Sequence, residues 1–233
     1  MNTRLKLLML PVAVALTVGS LFAQTKPAMV VQVVNTDDPE AYNAMITKIN
    51  ALVKAKTGLE KVRHVWTGDF AGENSHGIFV VSMFPSAAAE AEFTAKLADD
   101  ADLAVLLGQL KSMRKLGPSW LYKAVRDDGL YEGGAVFNTI INCSDEGAYA
   151  KQLDELKAIF DANGFKDAKL SLWRLAEGRR EDTHIVIIAE PTRVRLAELL
   201  DAVHDKALLK TWNVGAAKVR TTLANGSYHE ITK

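Results

Sequence analysis

The sequence predicts an α+β fold: two tandem βαββαβ units, packed sheet to sheet as a barrel within one chain. Three observations predict it. NTDDPEAY (35–42) and NCSDEGAY (142–149) repeat Asn, Asp, Ala and Tyr at identical spacing, and internal repetition decides architecture before other features are read. Trp66 follows Tyr42 by 24 residues, and Trp173 follows Tyr149 by 24. Ile78–Val81 and His184–Ala189 lack apolar/polar alternation, so both faces of those strands should be covered.

The elements follow in the same order in each unit. In the first (28–125), AMVVQVV (28–34) is β-rich and reads as the opening strand. Asp38 suits a helix N-cap, and Pro39 the first helical position, where its missing N–H costs nothing. Tyr42, Met45, Ile49, Leu52 and Val53 recur at three- and four-residue steps, one face of an amphipathic helix that Gly58 ends. Residues 59–66 and 77–84 read as the second and third strands, Ser86 to Met113 as an alanine- and leucine-rich helix, and 118–125 as the closing strand. The charged, glycine-bearing segment 126–134 is a linker.

The second unit (135–230) opens with strand 135–143 and caps its helix at Asp145. Tyr149, Leu153, Leu156, Ile159 and Phe160 make the helix stripe, and Gly164 the stop. Strands 168–175 and 184–190, a helix over about 192–212 and strand 217–224 complete it. Trp66 to Gly117 spans 51 residues and Trp173 to Gly215 spans 42, which reads as a shorter second unit. The order β-α-β-β-α-β is ferredoxin-like. It puts both helices on one sheet face and leaves the other face to be covered.

Composition bounds the function. MNTRLK carries two positive charges, residues 7–22 are apolar, and Ala23 is small: a signal peptide over 1–23. Its apolar run is too short, and is broken at Pro11, for a membrane span, although an uncleaved anchor is the competing reading. The expected address is periplasmic or secreted, with no membrane attachment after cleavage. Without residues 1–23 the chain holds 26 basic and 28 acidic residues. That balance argues against a nucleic-acid partner. Cys143 is the only cysteine, which excludes an internal disulfide and a thiolate zinc cluster. Hydrophobic residues make up 48% of the chain, enough for a conventional core.

Strand alternation nominates a site. Lys169, Ser171 and Trp173 share one face, against Leu170 and Leu172 on the other. The leucines belong under the helices, so the mixed face points between the sheets. The matching first-unit face carries Val62, His64 and Trp66. Asn138 and Asn142 fall on the same side, as does Asn35, while Gln32 falls under the helices. The expected ligand-binding set is Asn35, His64 and Trp66 in one half and Asn142, Ser171 and Trp173 in the other. Each half would hold a pocket with apolar walls and a few polar contacts. The competing reading makes the tryptophans core fillers, the asparagines turn closers and the repeated tyrosines packing residues.

In topology and duplication, residues 28–230 resemble the dimeric α+β barrel superfamily, which includes antibiotic-biosynthesis monooxygenases, stress-responsive A/B-barrel proteins and NIPSNAP-like proteins. The resemblance implies that one chain builds what relatives build by dimerisation. In the monooxygenase branch it implies a cavity lined by asparagine and tryptophan, where an electron-rich aromatic molecule is oxidised. Some relatives carry haem on a histidine of the second helix, and His204 lies there, although the matching position near Asp102 has none.

No metalloprotease spacing, phosphate loop, dinucleotide glycine pattern or nucleophile elbow occurs. No metal is expected. Cys143 precedes a helix, where its pKa could fall, but Thr36 at the matching position favours packing. The expected function is binding of a small, partly apolar molecule by a monomer or homodimer, without a cofactor. The alternatives are a cofactor-independent oxygenase, a structural protein with no open cavity, and a haem protein.

Overall fold

The computed structural model describes residues 26–59, 62–70, 77–178, 181–204 and 206–231. The predicted signal segment 1–23, His76 and Arg179–Arg180 lie outside the described residues. The first half runs β1 (Ala28–Asn35), α1 (Pro39–Thr57), β2 (Arg63–Phe70), β3 (Ile78–Phe84), α2 (Ala87–Leu97), α3 (Ala101–Ser112) and β4 (Lys115–Arg126). The second runs β5 (Ala135–Cys143), α4 (Glu146–Ala162), β6 (Lys169–Glu177), β7 (His184–Glu190), α5 (Arg193–His204), α6 (Ala207–Ala216) and β8 (Arg220–Glu230).

All eight strands pair antiparallel and close into one barrel, in the order β1-β3-β2-β8-β5-β7-β6-β4. Within it the first half reads β4-β1-β3-β2 and the second β8-β5-β7-β6. The two sheets do more than face each other. Their edges are hydrogen-bonded, β2 to β8 and β4 to β6. Among the described residues no helix is long and apolar enough to cross a membrane.

Local signals explain the helices. Asp38 accepts from Ala41 N at 2.9 Å and Asp145 from Ala148 N at 2.9 Å, each satisfying a donor the first turn leaves free. Gly58 ends α1 in the left-handed region, φ 74°. The stretch 86–113 is two helices where the sequence predicts one. Asp100 breaks it: its side chain accepts from Leu103 N at 2.8 Å, capping α3, and pairs with Lys56 of α1. The stretch 192–212 also divides, into α5 and α6, and Lys206 N turns back to Val203 O at 3.1 Å.

The closing strand β8 starts at Arg220, later than the predicted 217, and runs to Glu230. Gly215 belongs to α6 and not to a turn before the strand. The ladder shows the true correspondence: Asn35 pairs with Lys115 and Asn142 with Thr221. Trp66 to Lys115 is 49 residues and Trp173 to Thr221 is 48. The halves therefore match almost residue for residue, and the expected nine-residue deficit in the second does not exist.

Alternation sorts the apolar side chains into three clusters. Tyr42, Ile46, Ile49, Val53, Val65 and Phe84 lie between the first-half sheet and its helices. Tyr149, Leu153, Phe160, Leu170, Leu172 and Trp212 do the same in the second half. Met29, Trp66, Trp120, Tyr122, Trp173 and Tyr228 face the barrel interior. Tyr42 and Tyr149 are fully buried packing residues. Gln32 sits on the helix side, where its Nε2 donates to Gly117 O (2.8 Å) and Pro118 O (3.0 Å) beside a bulge in the β1–β4 ladder.

The linker between β4 and β5 is tied down. Gly133 N donates to Glu230 at 2.6 Å, Tyr131 Oη to Asp167 O at 2.5 Å and Lys169 Nζ to Leu130 O at 2.7 Å. Lys169 also lies 4.0 Å over the Tyr131 ring, a favourable cation–π placement. Near this segment Glu190 is 1% exposed, and its Oε1 has no hydrogen-bond partner. Burial pushes the Glu190 carboxyl up from the ordinary carboxylate range, against the pull of Arg195.

These contacts can be tested by substitution and by pH. Gly178 has φ +109°, and a Cβ there would sit 2.7 Å from Trp120 Cδ1 and 2.9 Å from Ser119 O. Gly178→Ala should cost ~2–4 kcal/mol in urea unfolding. Gly108→Ala, which meets nothing within 4 Å on α3, should be neutral or stabilising by up to ~1 kcal/mol. For Glu190, a carboxyl raised by folding favours the native state when protonated. That contribution is complete below the unfolded pKa and is lost as pH rises through the higher folded value. Glu190→Gln should therefore be more stable than the parent at neutral pH and equal to it near about pH 4, with unfolding curves at both pH values as the measure.

Candidate functional site

The barrel interior is not filled. It encloses a cavity of about 570 Å³, within the range of small-molecule sites. Both halves contribute to it, so a single shared cavity stands where the sequence suggests one pocket per half. Val31, Val33, Phe79 and Val81 make one wall, and Val136, Ile140, Ile185 and Ile187 another. Strands β4 and β8 are four antiparallel steps apart, so they run in the same direction and begin at one end of the barrel. There Pro118, Ala224 and Asn225 are exposed yet line the cavity. β6 pairs with β4 only from Leu121 onward, and β2 with β8 only from Ser227 onward. The earlier residues of both strands form the mouth. Leu130 of the linker lines the opposite end.

The reason for the space is a difference between matching positions. Val31 of β1 pairs with Trp120 of β4, whereas Asn138 of β5 pairs with Gly226 of β8. Val31 lies four residues before Asn35, and Asn138 four before Asn142. The indole of the first half thus has no counterpart at Gly226, and a polar amide stands opposite the missing side chain.

The chemistry of the wall is specific. No Asp, Glu, Lys, Arg, His or Cys is among the lining residues. Trp66 is 3% exposed and its Nε1 has no hydrogen-bond partner; Asn138 Oδ1 is likewise buried without one. A buried polar atom left without a partner costs about 1–3 kcal/mol. The cavity therefore presents an unanswered donor at Trp66 and an unanswered acceptor at Asn138 among largely apolar walls, to which Trp120, Tyr122, Asn225 and Tyr228 add further polar groups. An uncharged molecule with a polar edge would satisfy both, whereas a charged one would find no counter-ion.

The residues nominated from sequence divide. Trp66 lines the cavity. Trp173 is 1% exposed within the interior cluster but does not line the cavity. Asn35 is exposed at the strand end and does not line it. Asn142 also stays off the wall, although its Oδ1 is buried without a partner. His64 Nδ1 lies 2.8 Å from the buried Glu230 carboxylate, bracing the β2–β8 seam. Ser171 Oγ accepts from Asp128 N at 3.0 Å, holding the linker. Alternation gives the face of a strand and not the height along it, so residues near strand ends read the same as those at mid-barrel. Trp120, Tyr122, Tyr228 and Gly226 were not nominated. Trp120 and Tyr122 were findable from alternation in 118–125, but the β8 pair was hidden by the misplaced strand start.

The other polar candidates serve the scaffold. His184 bridges Thr183 and Glu146 at 2.8 and 2.9 Å. His229 lies within β8, 2.9 Å from Asp69 Oδ1. Burial pushes the Cys143 thiol up, so the helix behind it does not activate it. A histidine-ligated haem does not fit the described residues. No histidine lines the cavity, and His204 is exposed on α5 while Leu196, Leu199 and Val203 take that helix's buried side.

No family model and no curated protein matches the chain. Solved structures match its fold. A candidate monooxygenase from Lactobacillus acidophilus NCFM aligns at 7% identity over 88% of this chain and 93% of that one, with a TM-score of 0.57. A candidate chlorite dismutase aligns at 8% identity over 89% and 96%, TM-score 0.55. A haem-binding protein from Thermus thermophilus aligns at 11% over 89% and 92%, TM-score 0.51. At these identities the likeness is one of fold. Among the described residues that fold is an α+β one, with a single eight-stranded antiparallel sheet and six helices, shared with monooxygenase-like, chlorite dismutase-like and haem-binding proteins.

Proposed function

We propose that this chain is an exported binding protein that holds a small, uncharged, partly apolar molecule inside the barrel. It is built from two tandem ferredoxin-like repeats, 28–125 and 135–230, joined by the linker 126–134. One observation carries the reading: Trp66 Nε1 and Asn138 Oδ1 are buried and unanswered on the wall of an apolar cavity of about 570 Å³. Trp66 donates to the ligand and Asn138 accepts from it. Trp173 supports the interior behind the wall, as a member of the same apolar cluster. Export to the periplasm or beyond rests on the signal-like segment 1–23.

A second reading is a cofactor-independent oxygenase acting on an aromatic molecule. What favours it is that Asn138 and Trp66, the residue types the monooxygenase resemblance leads one to expect, line the same cavity. What weighs against it is the lack of a carboxylate, imidazole or amine on that cavity's wall to take a proton. Binding therefore has the stronger support. Haem-binding neighbours keep haem compatible with the fold, but the described residues offer it no histidine ligand in the cavity.

A naphthol, neutral and with one hydroxyl, is a suitable probe. It should quench tryptophan fluorescence saturably. Trp66→Phe and Asn138→Leu should each weaken its binding about five- to thirtyfold, ~1–2 kcal/mol. Gly226→Trp, which copies the first half's Trp120, should abolish binding while the chain still folds. Quenching that never saturates, or saturation untouched by all three changes, would sink the binding reading. Oxygen consumed when naphthol is added would transfer the case to the oxygenase.

A further inference from the structure

A second space lies outside the barrel, between the first half's sheet and its helices. It holds about 220 Å³, room for about seven waters at ~30 Å³ each. Ile46 and Ile49 of α1, Phe84 of β3 and Phe93 of α2 give it apolar walls. Into this setting come two guanidinium groups, Arg63 from β2 and Arg114 from the end of α3. Arg63 is held by its backbone: Asn50 Nδ2 donates to Arg63 O at 2.8 Å, and Arg63 N donates to Asn50 Oδ1 at 3.2 Å. Its guanidinium lies 5.4 Å over the Phe93 ring, and its Nη1 is buried without a hydrogen-bond partner. Arg114 Nη1 donates to Tyr42 Oη at 2.9 Å.

Among the described residues neither guanidinium has an ion-pair partner. Glu90 lines the same space, but its carboxylate accepts from Thr94 Oγ1 at 3.0 Å and pairs with neither arginine. Burial, with Arg114 adding its repulsion, pulls Arg63 below the ordinary guanidinium value. Two like charges in a half-dry space with no carboxylate paired to either are costly. The second half carries different residues in the same layer. Leu170 stands where the first half has Arg63, and Arg220 matches Arg114. There Arg220 lies 5.3 Å over Tyr149 and 5.0 Å over Trp212, whose indole donates to Gln152 O at 2.5 Å. The Tyr–Arg pair is common to both halves; among the described residues the arginine of the second strand, Arg63, has leucine as its second-half counterpart.

We propose that this space is a second ligand site, taking a small organic carboxylate whose anionic head is held by Arg63 and Arg114 and whose short apolar body lies against Ile46, Ile49, Phe84 and Phe93. Guanidinium forks match a planar carboxylate. The volume leaves room for that head and roughly half a dozen carbons. Leu107 and Leu116, both on the rim, are among the exposed large apolar side chains, and they suit an amphipathic entrant. The site is independent of the barrel cavity, whose wall carries no charge.

Calorimetric titration of the folded chain with hexanoate and with hexanamide tests it. Hexanoate should bind at least about tenfold tighter than the amide. Arg63→Leu, which installs the residue present at the matching second-half position, should remove that preference. Arg114→Gln should weaken hexanoate at least about tenfold, and it serves as the test if Arg63→Leu does not fold. Asn138→Leu should leave hexanoate binding unchanged. Equal affinity for acid and amide overturns the proposal. So does hexanoate binding that survives Arg114→Gln, or hexanoate binding that falls with Asn138→Leu, since the acid would then occupy the barrel.

Discussion

Closure of the sheet is the constraint on which the rest of this structure depends. Two seams, β2 with β8 and β4 with β6, pair strand edges that would otherwise expose unsatisfied N–H and C=O groups. Once those edges meet, each strand has one face under helices and one face inside. An eight-stranded barrel is just wide enough for side chains to fill or for a small ligand to occupy. Side-chain size at a few inward positions then decides between a solid core and a cavity. Here Gly226 and Ala224 leave room. The seams also hold buried polar groups in place: Glu230, 3% exposed, meets both His64 and Gly133 N, tying strand closure to the linker that shuts one end.

The two halves share a strand order and a nearly constant register, so their differences are informative. Trp120 against Gly226 and Val31 against Asn138 open the interior on the second-half side and make it polar there. Arg63 against Leu170 places a cation under the first half's helices only. His64 against Ser171 turns one seam into a hydrogen-bonded brace and the other into an anchor for the linker. Each substitution keeps the backbone pairing and changes what a pocket can recognise. A single chain permits this, because each half can vary without imposing the change on the other. A symmetric dimer cannot separate the two.

The resulting division is by charge. The barrel wall has donors and acceptors but no ionised group, and it favours a neutral occupant. The helix-side space has two guanidinium groups that pair with no carboxylate among the described residues, Glu90 being engaged by Thr94, and it favours an anion. The physical cause is the same in both places. Polar atoms held away from water are unstable until something pairs with them, and the kind of atom left waiting defines the class of molecule that can.

Local chemistry was readable from the chain alone. Asp38 and Asp145 cap the helices they were expected to cap, and alternation put Trp66 and Asn138 on the inward face and Leu170 and Leu172 under the helices. These depend on neighbours within a few residues, which is what a sequence displays directly. The break at Asp100 and the start of β8 were hidden by alanine-rich helix and by Gly215, which looks like punctuation but lies within α6. What only the tertiary structure decided is pairing across distance. His64 finds Glu230 166 residues away, Arg63 and Arg114 converge on one space, and Trp66 rather than Asn35 reaches the cavity wall. Periodicity tells which way a side chain faces; barrel closure tells how deep it sits and whom it meets there.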